Sequence, residues 1–222
     1  MTSQRRFDAV LFDLDGVLTD SEPWWNDVRI EFARAHHRPW TGDDQHAVMG
    51  ANSAEWAATM QARLGLAHVP VDQIEDAIVD GVVERYRTRP SPVIAGAPEA
   101  VRRIAAARPV GIASSSHRRV IDAAIDALGL HDVFGAVVSS DEVASGKPAP
   151  DVYLRAAGML GVPAPRCVIV EDSLNGVRAG VAAGGFVVLV PNPSVPPAGD
   201  ARERAHLVLD RLADLDPDEL PG

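Results

Sequence analysis

The 222-residue sequence has little cysteine, little lysine and little continuous hydrophobic sequence. The single cysteine, Cys167, excludes an internal disulfide and a metal site built from several cysteines. No window approaches the roughly 18 uncharged apolar residues that a transmembrane helix requires, so we expect no membrane partner. The N-terminal segment reaches Asp8 and Asp13 before any long apolar stretch, which argues against a secretory signal. We therefore expect a cytoplasmic protein.

Positive charge is also scarce. The 21 lysines and arginines face 31 aspartates and glutamates, and the net charge of −10 argues against nucleic acid as the main partner. Lysine occurs once, at Lys147, which makes this residue conspicuous. The content of 46% hydrophobic and 23% charged residues is typical of a folded protein. The length predicts one large domain or a domain with an insert.

Short apolar runs alternate with helical patterns along most of the chain. The runs are typical of strands buried on both faces, and their alternation with helices predicts a doubly wound parallel sheet of the Rossmann-like α/β class. In such folds the carboxyl ends of the strands share one edge, where ligands bind. The predicted strands are 9–12, 109–113, 136–139, 167–170 and 186–190; the predicted helices are 98–107, 118–128, 150–160, 174–183 and a last one near 201–212.

A long helical stretch interrupts this alternation after the first strand. Residues 21–89 contain four helical patterns, at 23–36, 42–49, 53–64 and 72–87, and are too long for a simple crossover. We expect a small all-helical cap domain at 21–89, inserted into a core formed by residues 1–20 and 90–222. All four tryptophans, Trp24, Trp25, Trp40 and Trp56, fall inside this cap.

Acidic side chains follow two of the predicted strands. Asp13 and Asp15 are two residues apart and leave the first strand on the same side, while Gly16 allows a sharp turn. Glu171 and Asp172 follow the fourth strand. Carboxylates that converge on one edge require a compensating cation, and their oxygens suit Mg²⁺.

Hydroxyl groups and the single lysine follow the other strands. Ser114, Ser115 and Ser116 lie between the second strand and a helix, which is typical of an anion site. Lys147 follows the third strand and can reach the same edge. Each feature alone has an ordinary structural explanation, such as a helix cap or a solvated lysine. Their occurrence in order at successive strand ends makes chance a poor explanation and favours one functional site.

Four segments that carry these residues resemble the four motifs of the haloacid dehalogenase superfamily. They are FDLDGVLTDSE (12–22), IASSS (112–116), GKPAPDVY (146–153) and VEDSLNGV (170–177), and the resemblance covers essentially the whole chain. It is strongest for the subfamily with a helical cap, which includes sugar-phosphate phosphatases and β-phosphoglucomutase. The resemblance implies Asp13 as nucleophile and Asp15 as general acid and base. It also implies Ser114, with Gly16 and Ser115, at the phosphate, and Lys147 as charge neutraliser. The implied Mg²⁺ is held by Asp13, the Asp15 carbonyl, Glu171 and Asp172.

Departures from the family patterns narrow the expected activity. Asp15 is present, unlike in dehalogenases, and the cap has no lysine for the Schiff base of phosphonoacetaldehyde hydrolases. Trp25, Met49 and Ser53 stand where β-phosphoglucomutases carry a histidine, a lysine and an arginine. We therefore expect a magnesium-dependent phosphatase for a small phosphorylated metabolite, a sugar or polyol phosphate, acting as a monomer or weak dimer.

Two alternatives stay open at this point. One is a β-phosphoglucomutase-like phosphomutase, and the other is a family member that binds a phosphorylated ligand but is catalytically weak. Trp25 has two interpretations as well. It is our candidate for a substrate-facing cap residue, while packing inside the cap is the structural alternative.

Overall fold

A six-stranded sheet, in which all neighbouring strands are parallel, forms the centre of the computed structural model, which describes residues 7–220. The strand order is β3-β2-β1-β4-β5-β6. This architecture confirms the predicted doubly wound α/β class. The strands are β1 (Ala9–Phe12), β2 (Val110–Ser114), β3 (Ala136–Ser139), β4 (Cys167–Glu171), β5 (Phe186–Leu189) and β6 (Leu207–Val208).

The register of β1 brings the functional strand ends together. Its last residue, Phe12, pairs with Ile112 of β2 and with Val170 of β4. All four residues of β1 are buried, and successive side chains enter the two hydrophobic cores on opposite faces of the sheet. The chain therefore leaves β1, β2 and β4 at neighbouring points of one edge.

The first four of the five helices between β1 and β2 form the predicted helical cap. The starts of two of them are encoded locally: Thr41 and Asn52 each form a capping box at the beginning of a helix. Gly65, in the left-handed conformation, ends the third helix. The position of the cap confirms the sequence expectation, and its domain limits at residues 21 and 89 stay predictions. The helices are α1 (Glu22–Ala35), α2 (Gly42–Val48), α3 (Ser53–Leu64) and α4 (Val71–Thr88).

The remaining helices cover both faces of the sheet. Side chains of α5 (Ala97–Ala105) and α6 (Arg118–Ala127) enter one core, and those of α7 (Asp151–Met159) and α8 (Leu174–Ala182) enter the other. Cys167 is fully buried, as a small core residue is expected to be. Within residues 7–220, no helix combines the length and the apolar character needed to span a bilayer.

The predicted helix at 201–212 is wrong over most of its length. Helix α9 (Ala201–Arg204) is short, and the chain then adds β6 to the open edge of β5. The backbone N–H of Leu209 donates to the carbonyl of Leu189, so the edge of β5 obtains a partner. Leu207 and Leu209 pack against one core and Val208 against the other, which is the alternation of a strand.

Helices α1 and α4 approach closely at Gly81, and this contact generates a stability prediction. A Cβ atom at Gly81 would lie 2.7 Å from Cγ1 of Val28, whereas one at Gly158 in α7 would have no neighbour within 4 Å. Replacing either glycine by alanine raises the helix propensity of that position. We expect Gly158→Ala to stabilise the protein by about 0.5 kcal/mol. Gly81→Ala should destabilise it by about 1–3 kcal/mol, because Val28 and the two helices must shift.

Urea unfolding followed by circular dichroism measures both changes. Gly158→Ala is the matched control, because it reduces the conformational freedom of the unfolded chain in the same way without a close contact in the folded state. Equal stabilisation by the two variants would show that α1 and α4 are not packed at this distance.

Candidate active site

Asp13 and Asp15 occupy the turn that follows β1, and each has its own set of partners. The backbone N–H of Asp13 continues the strand by donating to the Val170 carbonyl at 2.9 Å. The Asp15 carboxylate accepts hydrogen bonds from the hydroxyls of Ser21 and Ser116, the latter at 2.6 Å. Gly16 permits this turn, since its φ is +87°. A Cβ there would lie 1.9 Å from an Asp172 carboxylate oxygen.

Lys147 joins the two acidic strand ends. Its Nζ lies 2.7 Å from Oδ1 of Asp13 and 2.6 Å from Oε1 of Glu171, and its side chain is only 3% exposed. Burial acts to lower the pKa of Lys147, but the two carboxylates outweigh that effect and raise the pKa above its ordinary value. The ammonium therefore stays charged and partly offsets the repulsion between Asp13 and Glu171.

Glu171 is fully buried beneath the cavity, and protein donors surround its carboxylate. One oxygen accepts from Lys147 and from the hydroxyl of Tyr153. The other accepts from the Asp172 and Ser173 backbone N–H groups and from the Ser173 hydroxyl, at 3.1–3.3 Å. Tyr153 and Ser173 lie in the quoted motifs, but the sequence alone did not assign them to the site. Their contacts with Glu171 show that they position this carboxylate.

The three serines at the end of β2 make different contacts. Ser114 is 1% exposed, and its hydroxyl accepts from the Ser116 backbone N–H at 3.0 Å, which folds the run into a tight turn. Ser114, Ser115 and Ser116 all line the cavity. Ser116 carries an additional contact, its hydrogen bond to Asp15. The sequence singled out Ser114 and Ser115, and the contact between Ser116 and Asp15 depends on the tertiary structure.

Burial of several carboxylates raises their pKa values. Desolvation raises the pKa of Asp13 to about 7, with Lys147 opposing the rise. Desolvation, with the nearby Glu171 and Asp13 charges, raises the pKa of Asp172 well above its ordinary value. Among residues 7–220, no N–H or O–H group donates a hydrogen bond to the Asp172 carboxylate, in contrast to Glu171. The cluster therefore has more negative charge than Lys147 can balance.

The acidic cluster fits a hard divalent cation. Carboxylate oxygens of Asp13, Glu171 and Asp172 lie within 4.8 Å of one another. The donor set consists of oxygen, which Mg²⁺ prefers, and a cation would compensate the buried charge. This arrangement matches the three carboxylate ligands that the sequence resemblance implies.

A cavity of about 360 Å³ opens above this cluster and is lined by both the core and the cap. Eight of the nine predicted site residues line it, and Glu171 lies below. The lining predicted residues are Asp13, Asp15, Gly16, Trp25, Ser114, Ser115, Lys147 and Asp172. The sequence did not identify several other lining residues. Among them are Glu22, Arg29 and Trp56 from the cap and 195–198 from the segment after β5.

The position of Trp25 is compatible with both of its predicted roles. It is 4% exposed and its ring meets that of Trp56 edge-on at a centroid distance of 6.0 Å, as expected of a packing residue. It also lines the cavity that contains Asp13. The geometry thus leaves a substrate-facing role open to Trp25 while showing that it supports the cap.

Fold and site together define a capped α/β enzyme whose polar groups gather at the carboxyl edge of a parallel sheet. A family model described as haloacid dehalogenase-like hydrolase matches residues 7–184, most of the chain. The chain belongs to this family of hydrolases, as the sequence motifs indicated.

Individual relatives agree with this assignment. Hexitol phosphatase B from Escherichia coli O157:H7 is 30% identical, with 100% of both chains covered. The bifunctional riboflavin kinase/FMN phosphatase of Arabidopsis thaliana is 29% identical over 93% of this chain. This chain spans only 54% of that relative's length, and 17% of a second Arabidopsis thaliana relative. The crystal structure of CbbY from Rhodobacter sphaeroides in complex with phosphate has a TM-score of 0.80 and 26% identity, covering 96% of this chain and 100% of that chain.

Close packing between α8 and Glu171 generates a prediction for cation binding. A Cβ atom at Gly176 would lie 1.8 Å from the Glu171 carboxylate. Gly176→Ala must therefore displace this carboxylate, and we expect it to weaken Mg²⁺ binding at least about tenfold, because octahedral Mg²⁺ tolerates little change in ligand position. The measurement is the rise in melting temperature on titration with MgCl₂, with Gly158→Ala as the control. An unchanged Mg²⁺ titration in Gly176→Ala would contradict the assignment of Glu171 to the cation site.

Proposed function

We propose that the protein is a magnesium-dependent phosphatase that hydrolyses a small phosphomonoester through an aspartyl-phosphate intermediate. The observation that carries the proposal is the Asp13 carboxylate, held by Lys147 at the floor of the cavity with Asp15 beside it. The names of relatives such as hexitol phosphatase B favour a sugar or polyol phosphate as substrate.

Asp13 is the proposed nucleophile. Its carboxylate attacks phosphorus, and the alcohol leaves, which divides hydrolysis into formation and breakdown of an acyl phosphate. Lys147 donates a hydrogen bond to Asp13 and places positive charge where the anionic nucleophile meets an anionic phosphate. Ser114, Ser115 and Gly16 lie in the same cavity wall and are the proposed contacts for the phosphoryl oxygens.

Asp15 is the proposed general acid and base. Burial raises the pKa of its carboxyl group, so it can carry a proton for the departing alkoxide. The hydroxyls of Ser21 and Ser116 fix its orientation. After the alcohol leaves, the same carboxylate can accept a proton from the water that attacks the acyl phosphate.

The acidic cluster is the proposed binding site for the cation. The carboxylates of Asp13, Glu171 and Asp172 and the backbone carbonyl of Asp15 would hold Mg²⁺. When bound, Mg²⁺ supplies charge neutralisation for the nucleophile and the phosphate. Support comes from the oxygen-only donor set and from the uncompensated charge of the cluster.

Substitution of the two aspartates tests the assigned roles. Asp13→Asn removes the nucleophile and a metal ligand, so phosphate release should fall to background. Asp15→Asn should slow turnover by a factor of about 10²–10⁴, the usual contribution of a general acid. It should also leave Mg²⁺ binding in place, since the expected metal contact of Asp15 is a backbone carbonyl. Phosphate release from sorbitol 6-phosphate, whose alkoxide leaving group requires a proton, and Mg²⁺-dependent thermal shifts measure the two effects. Substantial activity in Asp13→Asn would contradict the mechanism.

Removal of the metal provides an independent prediction. Excess chelator should abolish phosphate release, and added Mg²⁺ should restore it. Ca²⁺ should bind but support little turnover, because its larger and looser coordination shell misaligns the nucleophile and the phosphate. Full activity in excess chelator would remove the cation from the proposal.

The same assays separate the alternatives. A phosphomutase would isomerise a sugar phosphate without net phosphate release, and a weak phospho-ligand-binding protein would bind without turnover. Trp25 and Met49 line the cavity where a mutase would carry histidine and lysine, which favours the phosphatase. A cytoplasmic location and a monomer or weak dimer stay expectations from the sequence composition.

A further inference from the structure

Arg29 is a buried cation in the cap wall of the substrate cavity, and its hydrogen-bonding capacity is largely unused. Its side chain is 5% exposed and lines the same cavity as Asp13. Among residues 7–220, neither Nε nor Nη1 of Arg29 has a hydrogen-bond acceptor. A buried guanidinium normally satisfies its donors, because an unpaired buried charge is costly. Because Arg29 lines the cavity, its unpaired donors point to an acceptor supplied by a ligand.

Aromatic packing holds the guanidinium in place without satisfying its N–H groups. Arg29 lies over the ring of Trp25 at 5.2 Å and over that of Trp56 at 5.6 Å. Such contacts stabilise the cation and fix its plane. Burial lowers the pKa of Arg29 only to about 10, so the group is charged at neutral pH. Arg29 is thus a preorganised donor.

Glu22 determines what kind of acceptor fits beside Arg29. Its Oε1 lies 3.8 Å from Nη1, which is an ion-pair distance but too long for a hydrogen bond. Gln45 donates a hydrogen bond to the same oxygen and orients the carboxylate. The negative charge of Glu22 offsets the positive charge of Arg29 and would repel a second anionic group of a ligand. A neutral group that both accepts and donates hydrogen bonds suits this pair.

We propose that Arg29 is a specificity-determining residue that, with Glu22, binds neighbouring hydroxyl groups on the part of the substrate that is not transferred. One hydroxyl accepts from the Arg29 guanidinium, and its neighbour donates to the Glu22 carboxylate. This assignment rests on the proposed phosphatase function. It identifies the polyhydroxylated chain of a sugar or polyol phosphate as the part of the substrate that Arg29 and Glu22 select.

Two matched pairs of substrates test this role. Sorbitol 6-phosphate and hexyl phosphate have the same chain length but differ in hydroxyl groups, and the ratio of their kcat/KM values reports hydroxyl recognition. Arg29→Met should lower this ratio at least about tenfold, because a site built to hydrogen-bond a hydroxyl discriminates strongly against its absence. Arg29→Lys, which keeps the charge but loses the planar fork, should lower it as well.

Arg85 provides the control for removing a buried cap arginine. It is also buried, and within the described part of the chain its Nε has no hydrogen-bond partner either, but Nη1 donates to the Gly81 carbonyl and Nη2 to Glu31, and Arg85 does not line the cavity. Arg85→Met should leave the ratio within about twofold of the wild type, whatever its effect on melting temperature. An equal change of the ratio in the Arg29 and Arg85 variants would overturn the proposal in favour of a purely structural role.

The second pair separates hydroxyl recognition from anion recognition. 6-Phosphogluconate carries a carboxylate where sorbitol 6-phosphate carries a hydroxymethyl group. The wild type should prefer sorbitol 6-phosphate, and Glu22→Gln should shift the preference towards 6-phosphogluconate. Wild-type preference for 6-phosphogluconate would overturn the proposal, because Arg29 would then serve a second anion.

Failure of the phosphatase function is distinguishable from failure of this inference. A wild type that releases no phosphate from any of these esters contradicts the proposed function alone. Titration of sorbitol 6-phosphate, followed by the fluorescence of the tryptophans around Arg29, then decides the inference. Weaker binding to Arg29→Lys than to the wild type supports it, and equal binding overturns it.

Discussion

The contact of Lys147 with Asp13 and Glu171 is the interaction on which the site depends. It places one ammonium group between two buried carboxylates, 2.7 and 2.6 Å away. Buried carboxylates repel each other and lose hydration, so they persist only with compensating charge and hydrogen bonds. Glu171 receives both, whereas Asp172 receives no hydrogen bond from the described residues and only the charge of Lys147, which desolvation and the neighbouring carboxylates outweigh. This asymmetry makes Glu171 a fixed part of the scaffold and leaves Asp172 as the carboxylate with most capacity for a cation.

Much of this arrangement could be predicted because strand order and strand ends are encoded locally. Buried apolar runs and intervening helices indicate a parallel sheet, and residues such as Asp13 and Glu171 immediately follow or end those runs. The strand β6 could not be predicted in the same way. Two residues give no periodic signal, and Leu207–Val208 form a strand only because β5 offers an unpaired edge.

The parts of the site that the sequence left unassigned depend on contacts between distant segments. Ser116 and Tyr153 act on Asp15 and Glu171 from other elements, and neither residue type indicates such a role by itself. Arg29 resembles an ordinary helix arginine until α1 and α3 bring Trp25 and Trp56 around it. Core motifs are thus visible in the sequence because each lies at a strand end, whereas the cap wall of the cavity is assembled by packing.

The cap and the core share a continuous hydrophobic cluster, and polar contacts connect them as well. Asp141 of the core accepts hydrogen bonds from the Ser53 N–H and hydroxyl groups, and Arg119 pairs with Asp76 and Asp80 of α4. Exposed ion pairs such as those of Arg119 contribute little free energy, so water can replace them at low cost. The acid cluster, in contrast, lies entirely in the core, at the carboxyl ends of the paired strands β1 and β4. The geometry of Asp13, Lys147 and Glu171 therefore depends on the sheet and its loops, whereas the residues that would select the substrate depend on the packing of the cap.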